Sequence, residues 1–543
     1  MRPLLIGLIG LVIIPIQSAL SQDREFAGIV SSASPEATNV GVDILERGGN
    51  AYDAAVAISL ALGASEPAGS GIFGQTVMLV QPVKGEPFVI QGSTFSPANI
   101  PASVTRKQLV SGRTASTIPS NLKVLSYTHQ NYGSGILSWR ELVTPAVSLY
   151  ENGFVVGPFR HRAFDHYGMG LIAQDEAARI FLKPDGTSYQ IGEIFRQPVM
   201  ARTLARIAQG GADEFYKGDM AQEIANDMKN NGGWITYDDL ANFPDPRIVP
   251  AIKSTYRNYD VISLPPPFGG WIMLQILNLL EASTPNAITE DNSVRRIALL
   301  NAMRLGHTTR TNDPVPSFYD YDDNISIKLS KREAQKMIEH YKKGYGGETT
   351  HFSVVDGEGN AIAVTQSIDN YFGALVVHPK LGFLYNNYMQ SFRLAKDGSP
   401  YVLKTNEMPL SSMAGAIVKR HGETKAILGS PASARIISAV AQVTSYWIDV
   451  DENIEKAVGA YRVHVVPGND AYVEGPDIDN ELLSGIAAYG YNLKRPAYGV
   501  SDSQYDPYFG GVHALAIEQG EWTGAADPRR DGTVKSAFKA NDR

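Results

Sequence analysis

The hydrophobic pattern changes period along the chain. Residues 4–16 form one apolar block, interrupted by Pro15, behind the positive charge of Arg2 and ahead of the small residues Ala19 and Ser21. This is the layout of a secretory leader spanning residues 1–21, with the mature chain starting near Gln22. The block is shorter than the roughly 20 residues a membrane helix needs. A secreted or periplasmic bacterial protein with no stable membrane anchor is therefore expected. Ser34 and Pro35 then open a helix as N-cap and first-turn residue. Val40, Ile44 and Leu45 share one face of it, and Gly48-Gly49 ends it. Asn50 caps the next helix, with Asp53 three residues on as in a capping box. Residues 51–62 are small or apolar all round, which predicts a buried helix. A glycine-rich turn at 69–74 leads to a charge-free strand at 76–80.

The middle of the chain reads as helical, for example at 142–150 and 203–207. Leu264-Pro265-Pro266-Pro267-Phe268-Gly269-Gly270 is a rigid loop leading into an apolar helix at 272–280. Residues 328–343 predict a charged, solvated helix, followed by a glycine hinge at 344–347. Past Gly347 the strand pattern takes over. Residues 350–355 and 361–367 are strands joined by the turn 356–360, a hairpin. Further β runs lie at 414–418 and 426–428, with a helix at 435–447. The expected class is α/β (α+β), with substantial sheet in the C-terminal third.

Composition narrows the chemistry. The 543 residues are 43% hydrophobic, too apolar for a disordered chain. The absence of Cys excludes disulfides, thiolate metal sites and a cysteine nucleophile. With 48 basic and 56 acidic residues the net charge is −8, and no long basic run offsets it, so no nucleic acid is expected. A small-molecule or peptide partner is the default. Gly69-Ser70-Gly71-Ile72-Phe73-Gly74 has the spacing of a dinucleotide loop, but a helix precedes it and a strand follows, the reverse of what pyrophosphate binding needs. No G-x-S-x-G elbow occurs, and His161 and His166 are five apart, off any shared helix face. No metal and no cofactor are expected.

The informative stretch is Gly346-Gly347-Glu348-Thr349-Thr350-His351-Phe352-Ser353. A hydroxyl side chain is a poor nucleophile without a base, and no triad is visible for Thr349. If the chain breaks before Thr349, the freed α-amino group, with a pKa of about 8, becomes that base on the same residue. The Thr349 hydroxyl can make the break itself by attacking the Glu348 carbonyl, with hydrolysis of the resulting ester. The preceding glycines let the segment strain into place and then move away.

Ordered blocks around this stretch carry a resemblance. Residues 48–57, Glu66-Pro67, Ser70-Gly71-Ile72, the proline loop at 264–270 and residues 349–356 all take part. So do residues 409–413, Gly429-Ser430-Pro431 and Asp527-Pro528-Arg529. Over roughly residues 26–530 the chain resembles the γ-glutamyltransferase family of N-terminal-nucleophile hydrolases. The resemblance implies a four-layer α-β-β-α sandwich made of two fragments of one precursor, 22–348 and 349–543, paired as a heterodimer. It implies cleavage between Glu348 and Thr349, with Thr349 as nucleophile and its amine as base. Ser367 falls where the family has a threonine supporting the nucleophile. The backbone N–H groups of Ala432 and Ser433 fall where two glycines form the oxyanion hole. The implied activity is amide hydrolysis or acyl transfer through an acyl-enzyme.

The substrate end departs from the family. Ser411 and Ser412 match serines that bind the γ-glutamyl α-carboxylate, but the arginine that joins them falls at Ser93. The ammonium end, held in the family by Asn, Gln and Asp, reads Asp369, Tyr388 and Ser391, and only Asp369 retains a charge for a cation. A hydrogen bond to a charged group contributes about 1.5–3 kcal/mol. Two lost contacts therefore cost about 10²–10⁴ in affinity. The expectation is a pocket for a different small acyl group, with a carboxylate facing Ser411 and Ser412 and no glutamate-like amine. His351 is expected to be structural. The competing expectation is an exported binding protein that keeps the fold without catalysis.

Overall fold

The hairpin read from residues 350–367 lies at the centre of the larger of two stacked sheets. In the computed structural model, residues 25–172, 175–316, 321–337, 349–395, 398–465, 467–476, 478–496 and 504–539 are described. The leader, the glycine hinge at 344–347 and Glu348 lie outside the described residues. Thirteen strands build the two sheets: β1 (Phe26–Ser32), β2 (Gln75–Gln81), β3 (Phe88–Gly92), β4 (Arg247–Pro250), β5 (Ile252–Tyr256), β6 (Tyr259–Ser263), β7 (Thr350–Asp356), β8 (Ala361–Ser367), β9 (Gly415–Arg420), β10 (Glu423–Gly429), β11 (His513–Glu518), β12 (Glu521–Ala526) and β13 (Thr533–Phe538). One sheet has the order β13-β1-β7-β8-β2-β3-β4, and the other β12-β11-β10-β9-β6-β5. Every pairing in both is antiparallel.

Helices cover the outer faces. Against the first sheet lie α1 (Pro35–Glu46), α2 (Ala51–Ser65) and α3 (Asn121–Tyr132). Against the second lie α4 (Gly270–Ser283) and α6 (Ala434–Asp449), with α5 (Ser293–Asn312) packed on α4. Three apolar layers result. Phe352 and Val354 of β7 pack toward the helices with Val56 and Ile58. Val355 packs between the sheets with Ile417, Ile427 and Leu515. Val418, Leu428, Ile437 and Met273 fill the third layer. Strand alternation therefore puts successive β7 residues into two different cores, giving the four-layer arrangement.

Local signals set the elements that frame the cleft. Ser34 accepts from Ala37 N at the start of α1, and Asn50 and Asp53 close a reciprocal capping box on α2. All of α2 is buried, as its unbroken small and apolar run requires. His351 faces the second sheet, with its Nδ1 2.9 Å from Thr365 Oγ1 and its Nε2 3.3 Å from Ser353 Oγ. A Cβ on Gly429 would lie 2.1 Å from this ring, so β10 can cross here only without a side chain.

One helix differs from expectation. Of the segment expected as one helix over 328–343, Lys328 ends a helix begun at Tyr321, Lys331–Met337 forms a separate one, and residues 338–343 lie outside the described residues. Ser330 breaks it by capping the second piece, where Glu333 N donates to Ser330 Oγ at 3.1 Å. Nor is its first end solvated: Lys328 is buried and pairs with Asp313.

Candidate active site

Thr349 stands immediately before β7, is 5% exposed and lines a cleft of about 280 Å³. Asp369, Tyr388, Ser391, Ser411, Ser412 and Ser433 line the same cleft. Residues from five separate stretches of sequence thus converge on one cleft. The hairpin β7–β8 brings Thr349 and Ser367 to the same end of the sheet. The loop at 264–270 positions the serines: Ser411 N donates to Pro267 O at 3.1 Å, and Gly269 N donates to Met413 O at 2.9 Å.

Ser433 is the N-cap of α6, and Ala432 precedes it. Both have positive φ, +93° at Ala432 and +59° at Ser433. Non-glycine residues in this region carry strain that persists only where the surroundings impose it. Among the described residues neither N–H is spent on a protein acceptor. Both stand at the positive end of a 16-residue helix, a setting suited to developing negative charge.

Ser367 Oγ accepts from Asp369 N at 2.7 Å. The Tyr388 hydroxyl bonds the side chains of both Ser367 and Gln75. Burial, aided by the nearby Asp369, pushes that phenol well above its ordinary range, so it keeps its proton. Asp369 itself has φ +80°, which aspartate tolerates. Its Oδ2 accepts from Gln390 Nε2 at 2.9 Å and from Ser391 Oγ at 3.4 Å. Burial pushes its carboxyl up to about 6, against the pull of those two bonds and of Arg106.

Ser93 is not in this cleft. It follows β3 directly and lines a separate cavity with Gln91, Phe95 and Lys123. His351 stands behind the cleft between the sheets, and burial holds it far below its ordinary range, hence neutral. Several cleft residues had no sequence signal, among them Arg106, Arg310, Gln390 and Arg393, as did Gln75 beside Ser411. Arg310 lies in the last turn of α5, where a basic residue reads simply as a partner of the helix dipole. Among the described residues no group of three or more His, Asp or Glu side chains is placed to hold a metal ion. No helix among them is long and apolar enough to cross a membrane.

Comparison with known proteins follows the same outline. The family model for gamma-glutamyltranspeptidase matches residues 37–537. The glutathione hydrolase proenzyme of Escherichia coli (strain K12) is 32% identical, over 95% of this chain and 93% of that protein. The acylase ACY 1 proenzyme of Pseudomonas sp. (strain SE83) is 30% identical, over 93% of each. The crystal structure of cephalosporin acylase from Bacillus halodurans superposes with a TM-score of 0.83 at 24% identity, covering 98% of this chain and all of that one. That last likeness concerns the fold.

Proposed function

Since this chain belongs to the gamma-glutamyltranspeptidase family, we propose that it is an exported amide hydrolase or acyltransferase that cuts itself between Glu348 and Thr349 and then works through an acyl-enzyme on Thr349. The observation that carries this reading is the convergence of Thr349, Ser433 at the N-terminus of α6 and the Ser411–Ser412 pair on one cleft.

In the maturation step, Thr349 Oγ1 attacks the Glu348 carbonyl and displaces the Thr349 nitrogen, giving an ester. Water then hydrolyses the ester and leaves a free α-amine. The two fragments stay interlocked. In the larger sheet β1, β2, β3 and β4 come from the first fragment and β7, β8 and β13 from the second, so the cut separates no domain.

In the catalytic step, the free amine takes the Oγ1 proton as the oxygen attacks a substrate amide. The Ala432 and Ser433 N–H groups receive the oxyanion. The ammonium returns its proton to the departing amine, and an ester on Thr349 remains. Attack by water releases the acid, and attack by another amine transfers the acyl group. Ser367 supports the nucleophile. Ser411 and Ser412 face a carboxylate on the acyl group. Asp369 is already engaged by Gln390 and Ser391 and stands beside Arg106, which disfavours a glutamate-like ammonium there.

The test is N-terminal sequencing of the purified mature protein alongside a denaturing gel. Two fragments are expected, the smaller beginning Thr-Thr-His, with Thr349→Ala remaining uncut. A wild-type protein that stays a single chain overturns the reading and favours a binding protein. For the acyl group, hydrolysis of a γ-glutamyl anilide is compared with a panel of simple acyl anilides. Turnover of the γ-glutamyl compound alone overturns the expected specificity.

A further inference from the structure

The fold desolvates several arginines and pairs them with acids. Arg160 meets Glu36 at 2.6 Å, Arg295 meets Asp449 at 3.3 Å, Arg462 meets Asp527 at 2.7 Å and Arg529 meets Glu474 at 2.5 Å. Arg310 breaks this pattern. It reaches the cleft from the last turn of α5, and among the described residues its one hydrogen bond is from Nη2 to Ser412 Oγ at 2.9 Å. Among the described residues no carboxylate stands within ion-pairing distance of it. The acid of the cleft, Asp369, is hydrogen-bonded by Gln390 and Ser391 and lies in the field of Arg106. The neighbours on the Arg310 side are neutral. Tyr401 donates its hydroxyl to Val315 O at 2.9 Å, and His307, one turn back on α5, is held by burial down to about 3. A desolvated guanidinium whose partner is a single neutral hydroxyl is costly to keep. Its remaining N–H groups form a planar fork suited to a carboxylate.

We propose that Arg310 is the specificity-determining residue of the acyl pocket, binding the far carboxylate of the acyl group together with Ser411 and Ser412. The preferred donors are then monoamides of short dicarboxylic acids. This rests on the reading of the site given above and names its substrate class. The positive charge that Ser93 does not supply comes instead from α5.

The test uses glutarate as the probe, with calorimetry on purified wild-type protein and on Arg310→Gln. Wild type is expected to bind glutarate, and Arg310→Gln to bind it about 100-fold more weakly. Kinetics add a second measure. On glutaric mono-p-nitroanilide the variant's kcat/KM is expected to fall at least tenfold further than on butyric p-nitroanilide, which lacks the carboxylate. No glutarate binding by wild type, equal binding by the variant, or equal loss on both anilides overturns the assignment. Should Arg310→Gln fail to fold, Arg310→Lys decides the matter: charge without the fork predicts roughly tenfold weaker binding, and undiminished binding overturns it. Glutarate binding that depends on Arg310 in a chain that never cuts at Thr349 supports this assignment and overturns the catalytic reading instead.

Discussion

Gln75 Nε2 donates to Ser411 Oγ across 3.1 Å, tying the first residue of β2 to the serine pair in the cleft wall. The Gln75 side chain also meets the Tyr388 hydroxyl, which in turn meets Ser367. One line of hydrogen bonds therefore runs from Ser411 in the cleft wall to Ser367, the register partner of Thr349.

Tyr388→Phe keeps the ring and removes that link. With Ser367 less well held, kcat is expected to fall about 10–100-fold with KM little changed, the signature of a lost transition-state interaction. Steady-state kinetics on one anilide substrate decide it. A raised KM at constant kcat shows instead that Tyr388 contacts the substrate, the role the family resemblance implies.

The strained turn before α6 predicts a gain in stability. Ser433 combines φ +59° with ψ −136°, a conformation glycine adopts freely and serine does not. Relief of such strain is worth on the order of 1–3 kcal/mol, against about 0.5–1 kcal/mol lost through the freer unfolded chain. Ser433→Gly is therefore expected to raise stability in a denaturant titration by about 1 kcal/mol. Activity should persist, because the proposed oxyanion donor is backbone. A destabilised variant shows that the Ser433 side chain holds the turn by contacts that outweigh the strain.

The cleft carboxyl predicts a pH effect on specificity. Asp369 is raised to about 6, so it is neutral below that pH and negative above it. A new negative charge opposes an anionic acyl group in the same cleft. KM for glutaric mono-p-nitroanilide should therefore rise between pH 5.5 and 7.5 relative to the butyric compound, and Asp369→Asn should flatten the difference. The stability sign follows from linkage. A carboxyl raised in the folded state gives stability that is present below its unfolded pKa and is lost as pH rises through about 6. Asp369→Asn should accordingly melt higher than wild type at pH 8, with the gain gone at pH 4. A pH-independent offset points to packing rather than titration.

Much of this architecture was legible in short-range signals. Ser34, Asn50 and Asp53 announce their helix starts because capping is local chemistry. The hairpin from Thr350 to Ser367 follows from alternation and a glycine-bearing turn. The convergence of Thr349, Ser411 and Ser433 came through ordered family blocks, since nothing local links residues so far apart in sequence. Arg310 and Gln75 stayed hidden because each is ordinary in its own element, and only the fold brings them to Ser412 and Ser411. The break at Ser330 was missed because a lone serine in a charged run reads equally well as helix interior or as cap.

Gly429 supplies the last prediction, about how the two sheets meet. Its added Cβ would fall 2.1 Å from the His351 ring. The ring is held by Thr365 and Ser353 and has no room to yield between the sheets. Overpacking of this kind typically costs about 1–3 kcal/mol, and the rigid backbone of β10 places Gly429→Ala near the upper end. Because β10 leads directly into the turn carrying Ala432 and Ser433, the displaced strand should also misplace the oxyanion donors and slow turnover. Trimming the ring in the double variant Gly429→Ala/His351→Ala removes the clash. Thermal melts and turnover of the two single variants and the double variant form a cycle. Less-than-additive losses are expected, and strictly additive losses show that Gly429 is needed for something other than room for His351.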